Sequence, residues 1–215
     1  MTWLREPLQA LAGEDVLIGT SSWKYPGWCG QLYDESRYVT RGKFSESRFE
    51  KECLEEFSEV FPTVCVDAGY YNFPSPAYIE GLCRQVPESF QFAFKVTDTI
   101  TIKNYPQLPR FGEKGGKPND HFLNAELFKS AFLASCERRL HQIGVLIFEF
   151  AHFYPKDFGR GREFVDALDA FLSKLPDSYA YAVEVRNRNL LQPDYFAMLT
   201  SHRVAHGFNS WTRMP

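Results

Sequence analysis

"YAYAVEVR", residues 179–186, carries two unlike faces. Side chains alternate across a strand. Ala180, Ala182, Glu184 and Arg186 therefore share one face, with Tyr181, Val183 and Val185 opposite. The run is nearly continuous in apolarity until its carboxyl end, where the first face turns charged. That is the look of a parallel strand buried on both sides, with chemistry gathered at its end.

Five further runs read the same way: "VLIGTS" (16–21), "TVCVDAGYY" (63–71), "FQFAFKV" (90–96), "GVLIFEF" (144–150) and "VAHGFNSW" (204–211). Each has a face that becomes polar near the carboxyl end, at Ser21, Asp67, Lys95, Glu149 and Asn209. Small residues, Ala93, Ala182 and Gly207, precede these groups and suit a crowded interior. Between the runs lie helical stripes. Phe49, Cys53, Leu54, Phe57, Val60 and Phe61 form one. Ser75 and Pro76 open the next as N-cap and first turn, over Tyr78, Ile79, Leu82 and Cys83. Others follow at Leu127–Leu140, Phe164–Leu175 and Pro193–Leu199. Strand–helix alternation implies right-handed crossovers and a parallel sheet. The expected fold is α/β, a TIM-type (β/α) barrel in one domain over residues 1–215. About six of the eight units that closure needs are present. Val204–Trp211 reads as an interior strand wanting a neighbour, so the sequence is expected to be C-terminally truncated.

The totals set bounds. Of 215 residues 44% are hydrophobic and 24% charged, as a folded globular chain requires. Aromatics reach 16%, enough for a large aromatic core, a ring-lined pocket or both. A net charge of -3 disfavours a generally nucleic-acid-seeking surface. Cys29, Cys53, Cys65, Cys83 and Cys136 are odd in number and form no C-x-x-C pair. Buried free thiols in a reducing compartment are expected, rather than a disulfide framework or zinc ribbon. The N-terminal stretch lacks a secretory pattern and no apolar run spans a bilayer. The expected localisation is cytoplasmic, with no membrane partner; oligomeric state is not legible.

If the strands curl, their polar ends converge at one mouth. Two carboxylates with a lysine between them can be driven to different pKa values, one acid and one base. Glu149 and Glu184 are the candidate acid/base pair. Lys95 and Arg186 would stabilise developing negative charge. The plainer alternative is a set of structural ion pairs, Lys95 with Glu149 and Arg186 with Glu184. Trp23, Tyr25 and Trp28, just past the first strand, either plug the core or stack on a ligand. With Ser21, Asp67, Tyr71 and Asn209 they make up the candidate substrate-binding set. Asp67, Glu149, Glu184 and Asn209 are hard oxygen donors that suit magnesium or manganese, although nothing in the sequence requires a cofactor. The five histidines do not form a zinc or iron pattern. Residues 97–125 are too long for a plain connection and read as a charged loop or a lid. Phosphate-cradling, dinucleotide and nucleophile-elbow motifs are absent. The expected ligand is a small polar or anionic molecule, handled by a hydrolase, lyase or isomerase. The alternative is a binding module for a nucleotide or single-stranded nucleic acid, its aromatics interleaved with bases.

"GTSSWKYPGWCG", "VCVDAGYYNFPSP", "FQFAFKV", "LIFEF", "YAVEVRN" and "AHGFNSWTRMP", in that order, resemble the domain of unknown function 72, or YecE-like, family. The resemblance runs from about Val16 to the end and implies a TIM-type barrel in longer proteins. It is to the longer subgroup, whose sixth strand ends "NSWTRMP". The family's second strand reads roughly V-E-x-N-x-T-F-Y. Here Cys65 stands for the acid, Asp67 for the amide and Gly69 for the threonine, so no family role passes to Cys65. Ser21, Trp23, Tyr25, Trp28, Tyr71, Lys95, Glu149, Glu184 and Arg186 match the pattern. The family carries no established activity, and a barrel by itself licenses none.

Overall fold

The computed structural model describes residues 2–209. Helix α1 (Arg5–Ala12) precedes strands β1 (Gly19–Thr20), β2 (Val39–Thr40) and β3 (Lys43–Phe44). Helices α2 (Glu46–Glu52) and α3 (Leu54–Ser58), strand β4 (Thr63–Val66), and helices α4 (Ala68–Tyr71) and α5 (Pro76–Cys83) follow. Next come β5 (Gln91–Lys95), α6 (Asp98–Thr101), α7 (Ala125–Phe128), α8 (Ala134–Cys136) and β6 (Ile143–Glu149). The described part closes with α9 (Gly161–Leu172), β7 (Tyr181–Glu184), α10 (Pro193–Ser201) and β8 (Ala205–His206). Six strands form one sheet in the order β1-β4-β5-β6-β7-β8. The pairs β1/β4, β6/β7 and β7/β8 are parallel. This is an α/β, TIM-like arrangement.

The residues group into two compact units. The first holds residues up to Asp67, with Ser75–Ala93 and Cys136–Gly144; the second holds Ala68–Pro74, Phe94–Ser135 and residues from Val145 on. In the first, Ser75 caps α5 by accepting the Tyr78 N–H at 3.1 Å, with Pro76 in the first turn and Ile79, Leu82 and Cys83 buried. The stripe from Phe49 to Phe61 is two helices, because the chain tightens at Cys53 between α2 and α3. Phe49 is fully buried, with Tyr33 and Tyr38 edge-on to it at 5.0 Å. Residues 25–47 hold 3₁₀ turns and the β2–β3 hairpin, whose tip, Arg41 and Gly42, has φ of 54° and 75°. Two positive φ values are what a type I′ turn requires. The Arg-Gly pair gave no Asn-Gly signal to announce it.

The second unit packs α7 and α9 against β6 through phenylalanines. Phe128, Phe148 and Phe171 meet with centroids 5.2–6.1 Å apart. Phe150, Phe153 and Phe164 form a second group at 5.0–5.9 Å. The abundant aromatics are thus largely core. The helix expected through Leu127–Leu140 is present but uneven: a π-helical turn, Lys129–Leu133, separates α7 from α8.

Five of the six sheet strands are shorter than the apolar runs suggested, β5 by one residue and β7 by two at each end. β1 keeps only Gly19–Thr20, paired with Thr63–Val64; Val16, Leu17 and Ile18 stay 41–47% exposed. β4 ends at Val66, and the next residues turn into α4 instead of continuing to Tyr71. β8 pairs only at Ala205 and His206. Ser210 and Trp211 of that expected strand lie outside the described residues. A run becomes a strand only where a neighbour satisfies its main chain. Apolarity alone reports burial.

Candidate functional site

The chemistry collects at the carboxyl ends of β5, β6 and β7, within the second unit. Glu149 and Glu184 are direct partners in the β6–β7 register, side by side on adjacent strands. Neighbouring strands lie about 4.8 Å apart, so the two carboxyl groups share one small space. The Lys95 ammonium is 3.0 Å from one oxygen of Glu149, and the Arg186 guanidinium donates to the other. Glu149 is buried, 7% exposed, and clamped on both oxygens. Glu184 is held differently: the Asn209 amide donates to it at 3.0 Å, and Arg186 Nε approaches only to 3.7 Å. Arg186 therefore serves Glu149 first, not Glu184 as the alternation suggested, because its terminal nitrogen reaches across to β6.

Burial, then the charge of Glu149, pushes the Glu184 carboxyl above its ordinary value; Arg186, Lys95 and Asn209 oppose the shift. Tyr70, on α4, is raised by burial and then by the charges of Glu149 and Asp98. Gly69 lets α4 settle there. A Cβ at that position would stand 2.8 Å from the Lys95 carbonyl oxygen. Gly69 thus brings Tyr70 to the end of the strand that carries Lys95.

The segment after β5 is ordered from within. The buried Asn119 amide donates to the Thr99 and Ile102 carbonyls at 2.8 and 2.6 Å, and its oxygen accepts from Tyr105 Oη at 2.8 Å and from His121 N–H at 3.0 Å. Three of its four bases lie against rings: Lys103 over Phe158 at 4.0 Å, Arg110 over Phe111 at 4.2 Å, and Lys114 over Tyr105 at 5.8 Å. Arg110 also pairs with buried Asp98 at 2.7 Å. Burial raises the Asp98 carboxyl, with Arg110 opposing. Asn187 joins the next two loops by accepting the Phe153 N–H at 2.8 Å and donating to the Phe153 carbonyl at 2.9 Å. Asp98, Tyr70, Asn119 and Asn187 were not singled out as site residues in the sequence. Polar residues in loops gave no periodic signal of their burial.

Lys95, Glu149, Glu184, Arg186 and Asn209 are thus brought together, and Tyr71 is exposed beside Tyr70, 5.4 Å between centroids. Ser21, Trp23, Tyr25, Trp28 and Asp67 belong to the first unit. There Trp23 is 5% exposed, its carbonyl accepts from the Tyr33 hydroxyl, and the Lys24 ammonium sits 5.4 Å from its ring. Tyr25 is exposed and rests on Trp28 at 4.9 Å; Trp28 stacks on Tyr33. Ser21 is exposed and Asp67 half-buried. Among the described residues no three of His, Cys, Asp and Glu come together to hold a metal. Of the expected magnesium or manganese donors, Glu149 has both oxygens engaged by cations, and Glu184 and Asn209 bond to each other. No helix among the described residues is long and apolar enough to cross a membrane.

A family model described as "Protein of unknown function DUF72" matches residues 17–209. The chain belongs to the DUF72 family. It is 26% identical over 157 residues to the UPF0759 protein YunF of Bacillus subtilis, covering 72% of this chain and 50% of that one. The chain spans about half the length of this curated relative. A DUF72 crystal structure from Enterococcus faecalis superposes with TM-score 0.54 at 21% identity, over 71% of this chain and 57% of that one. One from Thermotoga maritima gives TM-score 0.52 at 20% identity, over 88% and 63%. At such identities the likeness is one of fold.

Proposed function

We propose that this DUF72 protein is an acid/base enzyme, a hydrolase, lyase or isomerase, working at the carboxyl ends of β5, β6 and β7 on a small polar or anionic ligand. One observation carries the reading: two register-matched carboxylates are treated unequally by their neighbours. Glu149 holds Lys95 and Arg186 in place. Glu184, raised by burial and by Glu149, is the group that exchanges a proton. Neutral, it donates to a leaving group or an enolate oxygen; ionised, it accepts from carbon or from water. Lys95 and Arg186 face the negative charge that develops. Closure of the sheet into a barrel is part of the proposal and would focus these groups on one axis. Weighing against the nucleic-acid reading, three of the four bases of the 97–125 segment lie against rings, and one of them, Arg110, also pairs with Asp98.

The test is the titration of Glu184, followed by carboxyl ¹³C NMR with Glu184→Gln for assignment. A high midpoint supports the reading, and an ordinary one, near 4.5, removes it. Stability should follow the same group. A carboxyl raised in the fold contributes stability below its ordinary value, and that contribution is lost as pH rises through the raised value. Glu184→Gln is therefore expected to melt higher than wild type at pH 7. The gap should close as the pH falls toward the ordinary carboxylate range. A metabolite thermal-shift screen, with the same variant as control, then identifies the ligand.

A further inference from the structure

We propose that Tyr70 is the second proton-exchanging residue of this site: its hydroxyl donates to a ketone oxygen while Glu184 removes a proton from the adjacent carbon. The substrate is then a small ketone and the reaction an enolisation, the central step of an isomerase or lyase. The proposal rests on the acid/base reading above and chooses among the reactions that reading allows.

Placement comes first. Gly69 brings α4 onto the main chain of Lys95, so close that a Cβ would stand 2.8 Å from the Lys95 carbonyl oxygen. Tyr70 is the next residue. The Lys95 ammonium is 3.0 Å from Glu149, and the charge of Glu149 reaches the Tyr70 phenol. Glu184 lies beside Glu149 in register. The phenol and the raised carboxyl thus share a neighbour.

The hydroxyl is set apart by what it does not serve. Tyr33, Tyr38, Tyr105, Tyr179, Tyr181 and Tyr195 are buried or half-buried, and each ties its hydroxyl to another group of the fold. Tyr70 is half-buried too, yet among the described residues no acceptor takes its proton. Its partner is a donor. Arg110 pairs with buried Asp98 at 2.7 Å, lies 5.7 Å from the Tyr70 ring centroid and hydrogen-bonds the phenol. A guanidinium only donates. The phenol oxygen therefore accepts from Arg110, and its own proton is left for a ligand. Tyr78 has an unspent hydroxyl as well, but it lies on α5 in the first unit.

The chemistry follows from these two groups. An enol and a phenol are both hydroxyls on unsaturated carbon, so their acidities are close and a proton passes between them at little cost. Glu184, ionised, takes the proton from carbon. The C–H electron pair becomes the new C=C bond, the carbonyl π pair moves to oxygen, and that oxygen takes the proton of Tyr70. Arg110 faces the phenolate so formed. Return of one proton to carbon and of the other to Tyr70 restores both residues. Lys95 and Arg186 are engaged with Glu149 and add field rather than a proton.

Deuterium incorporation at carbon tests the assignment. The intact chain is incubated in heavy water with pyruvate or dihydroxyacetone, and with lactate, which has no ketone, and the exchange is followed by ¹H NMR. At least one ketone is expected to exchange faster than in buffer, and lactate not at all. Tyr70→Phe should lower the rate at saturating ketone about a hundredfold, the loss of one oxyanion donor. Its half-saturating concentration should stay within about threefold, since the contact matures only in the transition state. Tyr78→Phe should exchange like wild type, with circular dichroism confirming both folds. No exchange with either ketone, exchange with lactate, an indifferent Tyr70→Phe, or an equal loss in Tyr78→Phe each overturns the proposal. The two readings fail separately. A high Glu184 midpoint without ketone exchange removes the Tyr70 assignment alone; exchange that needs Tyr70, with an ordinary Glu184 midpoint, removes the role of Glu184 alone.

Discussion

At the scale of single residues, Glu149 and Glu184 show how neighbours divide two identical side chains. Both lie on the same face at matched register, so alternation places them together. It does not say which will be clamped. That follows from where Lys95 and Arg186 can reach, and both reach Glu149. Removing its charge takes from both cations the carboxylate they reach most closely and leaves them only Glu184. Glu149→Gln is therefore expected to destabilise the fold by about 2–4 kcal/mol, a little less than for fully buried pairs because both cations are partly solvated. Urea unfolding measures it. A loss below about 0.5 kcal/mol would mean that water already neutralises the cluster. The sequence showed which residues meet here, because period-two spacing needs no tertiary information. It assigned Arg186 to Glu184 because chain proximity favoured the residue two positions away.

At the scale of elements, the departures trace to glycine and to backbone handedness. Gly69 stands where β4 gives way to α4, and a methyl group there would meet the Lys95 carbonyl at 2.8 Å. Gly69→Ala is expected to cost about 1–3 kcal/mol and to shift Tyr70 away from the cluster. Denaturant unfolding, with the Tyr70 titration alongside, checks both. Arg203 closes α10 at φ 54°, with Val204 N–H returning to the Leu199 carbonyl at 2.9 Å. That is the left-handed position where glycine is favoured. Its ion pair with Asp177, at 3.4 Å, is exposed at both ends and contributes little. Arg203→Gly is expected to be neutral to stabilising, up to about 1 kcal/mol, and a fall in Tm would show that Arg203 packs usefully. Helix existence was readable from apolar stripes at Phe164–Leu172 and Ile79–Cys83. The break at Cys53 and the π-turn at Lys129–Leu133 were not, since both keep the stripe and alter only the main-chain bonding.

At the scale of the whole chain, composition foretold a phenylalanine-rich core and free thiols. Cys53, Cys83 and Cys136 are buried; Cys29 and Cys65 are half-buried. Burial pushes the Cys53 and Cys136 thiols up to about 12 and Cys83 to about 11. Since the thiolate is the reactive form, a thiol reagent at neutral pH is expected to modify at most two of the five cysteines in the native protein. All five should react in guanidinium. A third fast-reacting thiol in native buffer would show that a buried cysteine is opened by local unfolding.

The alternation of strands and helices, the polar strand ends and the membership of Lys95, Glu149, Glu184 and Arg186 in one group were already written in residue order. Periodicity and burial are local properties of a chain. Strand length and the unequal holding of the two glutamates belong to the folded molecule. Each depends on which distant segment supplies the next hydrogen bond, and a linear pattern does not carry that choice.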